Sequence, residues 1–171
     1  ELDHHGAFQL LVATVLSAQS TDVGVNKVTP GLFARFPDAF SMANAEIAEV
    51  EQLIGSLGMF RQKAKRLIGL SELLLERHGG QVPSTLDELV ALPGVGRKTA
   101  NVVLGVWFKA PEGVVVDTHV QRIAQRLGWT KHDSPEDIEL DLMASVPREQ
   151  WDLVSHVLIF HGRRTCDAQR P

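Results

Sequence analysis

Leu92-Pro93-Gly94-Val95-Gly96-Arg97-Lys98-Thr99-Ala100 is a short glycine-rich link between two helical patterns, and its reading decides the fold. Upstream, Ser84-Thr85-Leu86-Asp87 has the spacing of a capping box, with Asp87 placed to accept from the Ser84 backbone N–H. The short helix it opens ends at Pro93, and Arg97 to Phe108 reads as a second, largely apolar helix. Gly94 and Gly96 let the link bend tightly and offer bare backbone to a partner. The first N–H groups of the second helix lack intrahelical acceptors, so they suit an anion such as phosphate. Lys98 lies in the first turn of that helix, where the positive end of the dipole disfavours an ammonium. A lysine biased toward the neutral amine is a nucleophile able to form a Schiff base. Taken alone, a GxG with a lysine is equally a tight helix–turn–helix with one solvated side chain.

Downstream, Val114-Val115-Val116-Asp117-Thr118-His119 ends an apolar run in a carboxylate just before another helix. An isolated aspartate there reads as an N-cap. Paired with the glycine-rich link, it becomes a candidate for chemistry.

LPGVGRKTAN over 92–101 and VDTHVQR over 116–122 resemble the helix-hairpin-helix DNA glycosylases, and within them the endonuclease III branch. The similarity extends upstream through Leu16 to Asp22 and Val25 to Lys27, and downstream through Leu158 to Cys166. It therefore runs colinearly along almost the whole chain.

The 171 residues suffice for one large or two small domains, and 44% hydrophobic content is ordinary for a globular core. No apolar run approaches the length of a membrane span, and no signal-peptide pattern opens the chain. A single cysteine excludes an internal disulfide and fits a reducing compartment. The start at Glu1 and the stop at Pro171 read as those of a piece of a longer polypeptide. A net charge of −4 argues against indiscriminate coating of DNA. Between Asp133 and Asp152 stand seven acids and one base, Arg148, a face expected to point away from phosphate. Bases cluster instead at Arg61, Lys63, Lys65 and Arg66, at Arg97 and Lys98, and at Arg163 and Arg164. Gathered on one side they make a phosphate-binding stripe; taken singly they are solvated helix faces.

Along the chain, Ala7 to Ala18 reads as a buried helix, and Thr21 or Asp22 caps the next, which runs towards Phe33. Asn44 is placed to cap Ala45 to Ile54, and Phe60 to His78 is the longest helical pattern, ended by Gly79-Gly80. Val114 to Val116 reads as a buried extended connector without a partner strand. Thr118 to Leu127 follows, then a helix opened by Ser134-Pro135. A last one starts at Pro147, with Trp151, Val154, Val157, Leu158 and His161 on one side. The expected fold is all-α, about nine helices and essentially no sheet.

The resemblance implies two helical lobes with DNA in a cleft between them. Residues 1–110 make the lobe that carries the helix-hairpin-helix, about 84–109, and residues 111–171 the second. Lys98 and Asp117 then face each other, with a one-residue-longer spacing absorbed at Pro111-Glu112-Gly113. The implied function is a base-excision-repair glycosylase with abasic-site lyase activity, removing oxidised pyrimidines from damaged double-stranded DNA. Lys98 is implied as the Schiff-base nucleophile, and Asp117 as the group that stabilises positive charge on the sugar. Gln19 enters the stack beside the orphan base, and Met59 stands where the family has a leucine wedge; read without the family, both are ordinary polar and loop residues. Gly94, Val95, Gly96 and Arg97 hold DNA phosphate, and His119 contacts phosphate or packs its helix. Cys166 matches one of four thiolates of a [4Fe–4S] cluster, the others falling beyond 171. Carbonyls near Val90, Leu92 and Val95 are a candidate monovalent-cation site. A monomer in the cytoplasm, associated with the nucleoid, completes the expectation. An adenine-mismatch glycosylase of the same superfamily lacks the lysine, and a non-catalytic DNA-holding module has no use for Asp117.

Overall fold

The computed structural model describes residues 2–166 and 168. Among them all regular secondary structure is helical, with no β-strand. Contacts divide the chain into two compact units, Glu1–Val103 and Leu104–Pro171. The end of the expected second lobe, residues 167 and 169–171, lies outside the described residues.

The first unit is built on α1 (Ala7–Ser17), where every residue from Leu10 to Leu16 is buried. A helix apolar on all sides needs neighbours all round, and α1 has them in α2 (Asp22–Arg35), α5 (Phe60–His78) and α7 (Arg97–Val103). Thr21 caps α2 by accepting from the Gly24 N–H at 3.1 Å. Sequence reasoning missed α3 (Ala39–Ala43), which is opened by a capping box between Asp38 and Ser41 and packs on α5. Ser41 also holds the Asp38 carboxyl below the usual aspartate range, chiefly through its backbone N–H. Asn44 consequently closes α3 instead of opening a helix, and α4 (Ile47–Leu53) starts from Glu46. Within α5, Lys63, Ala64, Leu67, Leu70, Ser71 and Leu74 form the buried face, whereas Ile68 and Leu75 are half-buried. Gly79, at φ 59°, ends it in the left-handed conformation that glycine adopts without steric cost.

The short helix before the glycine-rich link is α6 (Leu86–Val90), which stops ahead of Pro93. Its cap lies one residue later than the sequence pattern places it. Thr85 is the N-cap, and its hydroxyl donates to Glu88 Oε2 at 2.6 Å. The expected single helix from Arg97 to Phe108 is α-helical only to Val103 and π-helical over Leu104–Phe108. Lys109 follows at φ 53°, and the Ala110 N–H reaches back to the Leu104 carbonyl at 3.0 Å.

In the second unit, α8 (Thr118–Arg126) packs on α9 (Pro135–Ser145) and on α10 (Trp151–Arg164), which a 3-10 turn (Arg148–Gln150) precedes. Val114, Val116, Val120, Ile123, Ile138, Leu142 and Leu158 form its core. On α10 the buried positions are Ser155, Leu158 and Gly162. Val157 and His161, grouped with Leu158 on one side by the sequence pattern, are exposed. Gly162 explains the rotation, since a Cβ there would lie 3.0 Å from His119 Cβ, so α10 meets α8 along its bare side. Among the described residues no helix is long and apolar enough to cross a membrane.

Candidate functional site

The hairpin brings Gly94 to Lys98 to the surface of the first unit through two constraints. Leu92 and Val95 turn their side chains into the core, and the Val95 N–H closes a turn on the Leu92 carbonyl at 3.1 Å. Gly94 sits at φ +80°, and a Cβ there would stand 2.9 Å from Arg66 Cδ. Glycine is required for both reasons. Around Gly96 no atom lies within 4 Å of a built Cβ, so its backbone is open, and Arg97 and Lys98 are exposed directly after it. The first helical bond of α7 runs from the Ala100 N–H to the Gly96 carbonyl at 2.9 Å. The amides before Ala100 therefore point out of the helix end without intrahelical acceptors. Val95 contributes a buried plug and a used amide; Gly94, Gly96 and Arg97 contribute the exposed edge.

Asp117 belongs to the second unit and is the N-cap of α8. Its Oδ1 accepts from the His119 N–H and the Val120 N–H, both at 2.9 Å. Both bonds converge on one oxygen, so the carboxylate is oriented while Oδ2 is clear of the cap. The valine run holds it in place: Val114 and Val116 are packed in the core, and the Val115 N–H donates to the buried Ser155 Oγ at 3.0 Å. His119 is half-buried against α10, with its Nδ1 3.2 Å from an Arg122 nitrogen that also binds the Gly162 carbonyl.

Gln19 and Met59 are both exposed, and both are non-glycine residues in the left-handed region, at φ 54° and 55°. Such backbone costs roughly 1–3 kcal/mol per residue and persists where the surroundings impose it. The turn carrying Gln19 and the turn that leads into Met59 line one open depression of about 520 Å³. Of the basic residues expected to form a stripe, Arg61, Lys65 and Arg66 are exposed, and Arg66 lies against the hairpin at Gly94. Lys63 departs from the expectation: it is 1% exposed, and its ammonium donates to Ser20 Oγ at 2.7 Å. Burial, with the nearby Arg66 charge, holds its pKa below the usual lysine range. The register Lys63, Leu67, Leu70, Leu74 is an inward helical face, and that spacing was the available signal. The acidic run is likewise not one solvated face, because Glu139 is buried and Asp141 accepts from Thr130 Oγ1 at 2.6 Å.

Cys166 is a free, half-buried thiol. Arg126 Nη1 donates to its Sγ at 2.9 Å. One thiol does not hold an iron–sulfur cluster, and among the described residues no three His, Cys, Asp or Glu are grouped to hold a metal ion. The residues present do not by themselves fit that cofactor.

Residues 12–148 match the family described as HhH-GPD superfamily base excision DNA repair protein. The endonuclease III of Synechocystis sp. is 52% identical over 170 residues, covering 99% of this chain and 78% of the relative. That of Bacillus subtilis is 48% identical over 172 residues, covering 100% of this chain and 78% of the relative. Among solved structures, a trapped endonuclease III–DNA covalent intermediate with an estranged adenine matches with a TM-score of 0.94 at 46% identity. That match covers 99% of this chain and 80% of the other.

Proposed function

This chain belongs to the HhH-GPD superfamily of base excision DNA repair proteins, in its endonuclease III branch, and we propose that Lys98 and Asp117 carry its chemistry. It is a DNA glycosylase with abasic-site lyase activity that acts on duplex DNA. The proposed bases removed are oxidised or ring-saturated pyrimidines. A base within the stack is unreachable at C1′, so its nucleotide is extruded first. Gly94, Gly96 and Arg97 hold phosphate without reading sequence, which suits a search for damage. Gln19 enters the vacated stack, where its amide bonds base edges, and Met59 wedges it open as an adaptable apolar side chain.

Lys98 Nζ, as the neutral amine, attacks C1′, and the bond from C1′ to the damaged base breaks as that base leaves with its electron pair. Asp117 stabilises the positive charge developing on the sugar and takes the proton that the attacking amine sheds. Opening of the sugar ring leaves an iminium between Lys98 and C1′, which acidifies the C2′ proton. Loss of that proton expels the 3′ phosphate by β-elimination, and water then releases the lysine. A glycosylase without lyase activity needs only the aspartate and a water, so Lys98 separates the two reaction types.

The observation that supports this reading is the exposure of Lys98 in the first turn of α7, directly after the open backbone of Gly96. The reading keeps Cys166 as a single candidate ligand of a [4Fe–4S] cluster, and no step runs through one. The hairpin carbonyls near Val90, Leu92 and Val95 are kept as a candidate monovalent-cation site, and a cytoplasmic, nucleoid-associated monomer as the working state. Borohydride trapping on a duplex with an abasic site tests the chemistry. A covalent adduct is expected with the parent and none with Lys98→Gln; equal adducts from both would remove Lys98 from its role.

A further inference from the structure

Lys63 has no part in the chemistry above, yet its placement is expensive. It lies on the inward face of α5 with Ala64, Leu67 and Leu70, where an apolar side chain of similar length would serve the core better. Its side chain starts one helical turn from Met59 and ends on the residue after Gln19. Its Nζ donates to Ser20 Oγ, the hydroxyl directly after Gln19, while its backbone N–H makes the ordinary first helical bond of α5 to the Met59 carbonyl at 3.0 Å. Gln19 and Met59 share the left-handed backbone that residues with a Cβ rarely adopt, and both are exposed, so core burial does not impose it. The turn before Met59 also meets the start of α2, since Leu57 Cδ2 stands 3.6 Å from a Cβ built at Gly24.

We propose that Lys63 is a positioning residue, tying the Gln19 turn to the Met59 turn through Ser20 so that both stack-entering side chains are preset before DNA arrives. The inference rests on the reading of Gln19 and Met59 given above. A hydrocarbon at 63 would fill the space but hold no hydroxyl, whereas an ammonium makes a charge-assisted bond of defined length. Presetting matters because an exposed glutamine and methionine otherwise lose conformational freedom at the moment of insertion.

The test uses the full chain on a duplex with a tetrahydrofuran abasic analogue opposite 2-aminopurine, whose fluorescence reports unstacking of the orphan base. The parent at saturating concentration is expected to change that fluorescence, and Gln19→Ala to lose most of the change. Ser20→Ala and Lys63→Met are each expected to lose most of it too, and to add nothing in a Gln19→Ala background. Duplex affinity, set by phosphate contacts, is expected to stay within about twofold of the parent. A full parental change in Ser20→Ala and Lys63→Met, beside its loss in Gln19→Ala, overturns the inference and leaves the stack-entry reading standing. A full change in Gln19→Ala overturns that reading, and the inference with it. If Lys63→Met melts below the assay temperature, Ser20→Ala decides, because it leaves the lysine in place.

Discussion

Asp117 carries two readings at once. The sequence offers it as an N-cap and as a catalytic carboxylate, and the structure places it as a cap with both amide bonds on Oδ1. Asparagine caps helices as well as aspartate does. Asp117→Asn is therefore expected to melt near the parent temperature while excision falls roughly a hundredfold or more, the scale of losing a key electrostatic group. A thermal melt beside single-turnover excision measures both, and an unchanged rate would remove Asp117 from the chemistry. Lys63 makes the opposite point: its charge suggested surface, and its place in the i, i+4, i+7 register with Leu67 and Leu70 decided burial.

Among the elements, the longest patterns were legible. Phe60–His78 was read to the residue, because a nineteen-residue pattern with one apolar face, ended by Gly79, leaves little freedom. The five-residue α3 was missed, since its apolar residues span barely more than a turn and its start is marked only by the Asp38–Ser41 box. The break into π-helix at Leu104 was also hidden. It coincides with Gly105, where a Cβ would lie 2.7 Å from Asp152 Oδ1, a contact made in space rather than along the chain. The extended Val114–Val116 segment depends on a similar distant partner. Ser155→Ala is expected to leave the Val115 N–H without its acceptor and cost about 1–3 kcal/mol. Urea unfolding should show a lower midpoint with an unchanged slope, and excision should weaken with it because the segment leads into Asp117.

For the whole molecule, a net charge of −4 requires that DNA binding come from local charge. Arg61 and Lys65 are exposed on α5, and Arg66 on the same helix lies against the hairpin. Affinity for undamaged duplex is expected to fall steeply with salt. Arg61→Ala and Lys65→Ala should each lower the slope of log K against log salt by about 0.9, the contribution of one phosphate contact. Fluorescence anisotropy across a salt series measures this, and an unchanged slope places that residue away from the DNA path.

The sequence by itself determined the helical class, the family, and the residues on which the chemistry is proposed. Periodicity, caps and the LPGVGRKTA and VDTH stretches are local, and a helix needs only local bonds to form. What only the tertiary structure decided is which polar side chains are withdrawn from solvent and which backbones are strained. Lys63 reaches across to Ser20, Gly94 leaves room for Arg66, and Gly162 admits His119. Each of these joins residues distant in the chain, and packing between helices fixes them where no single stretch of sequence specifies them.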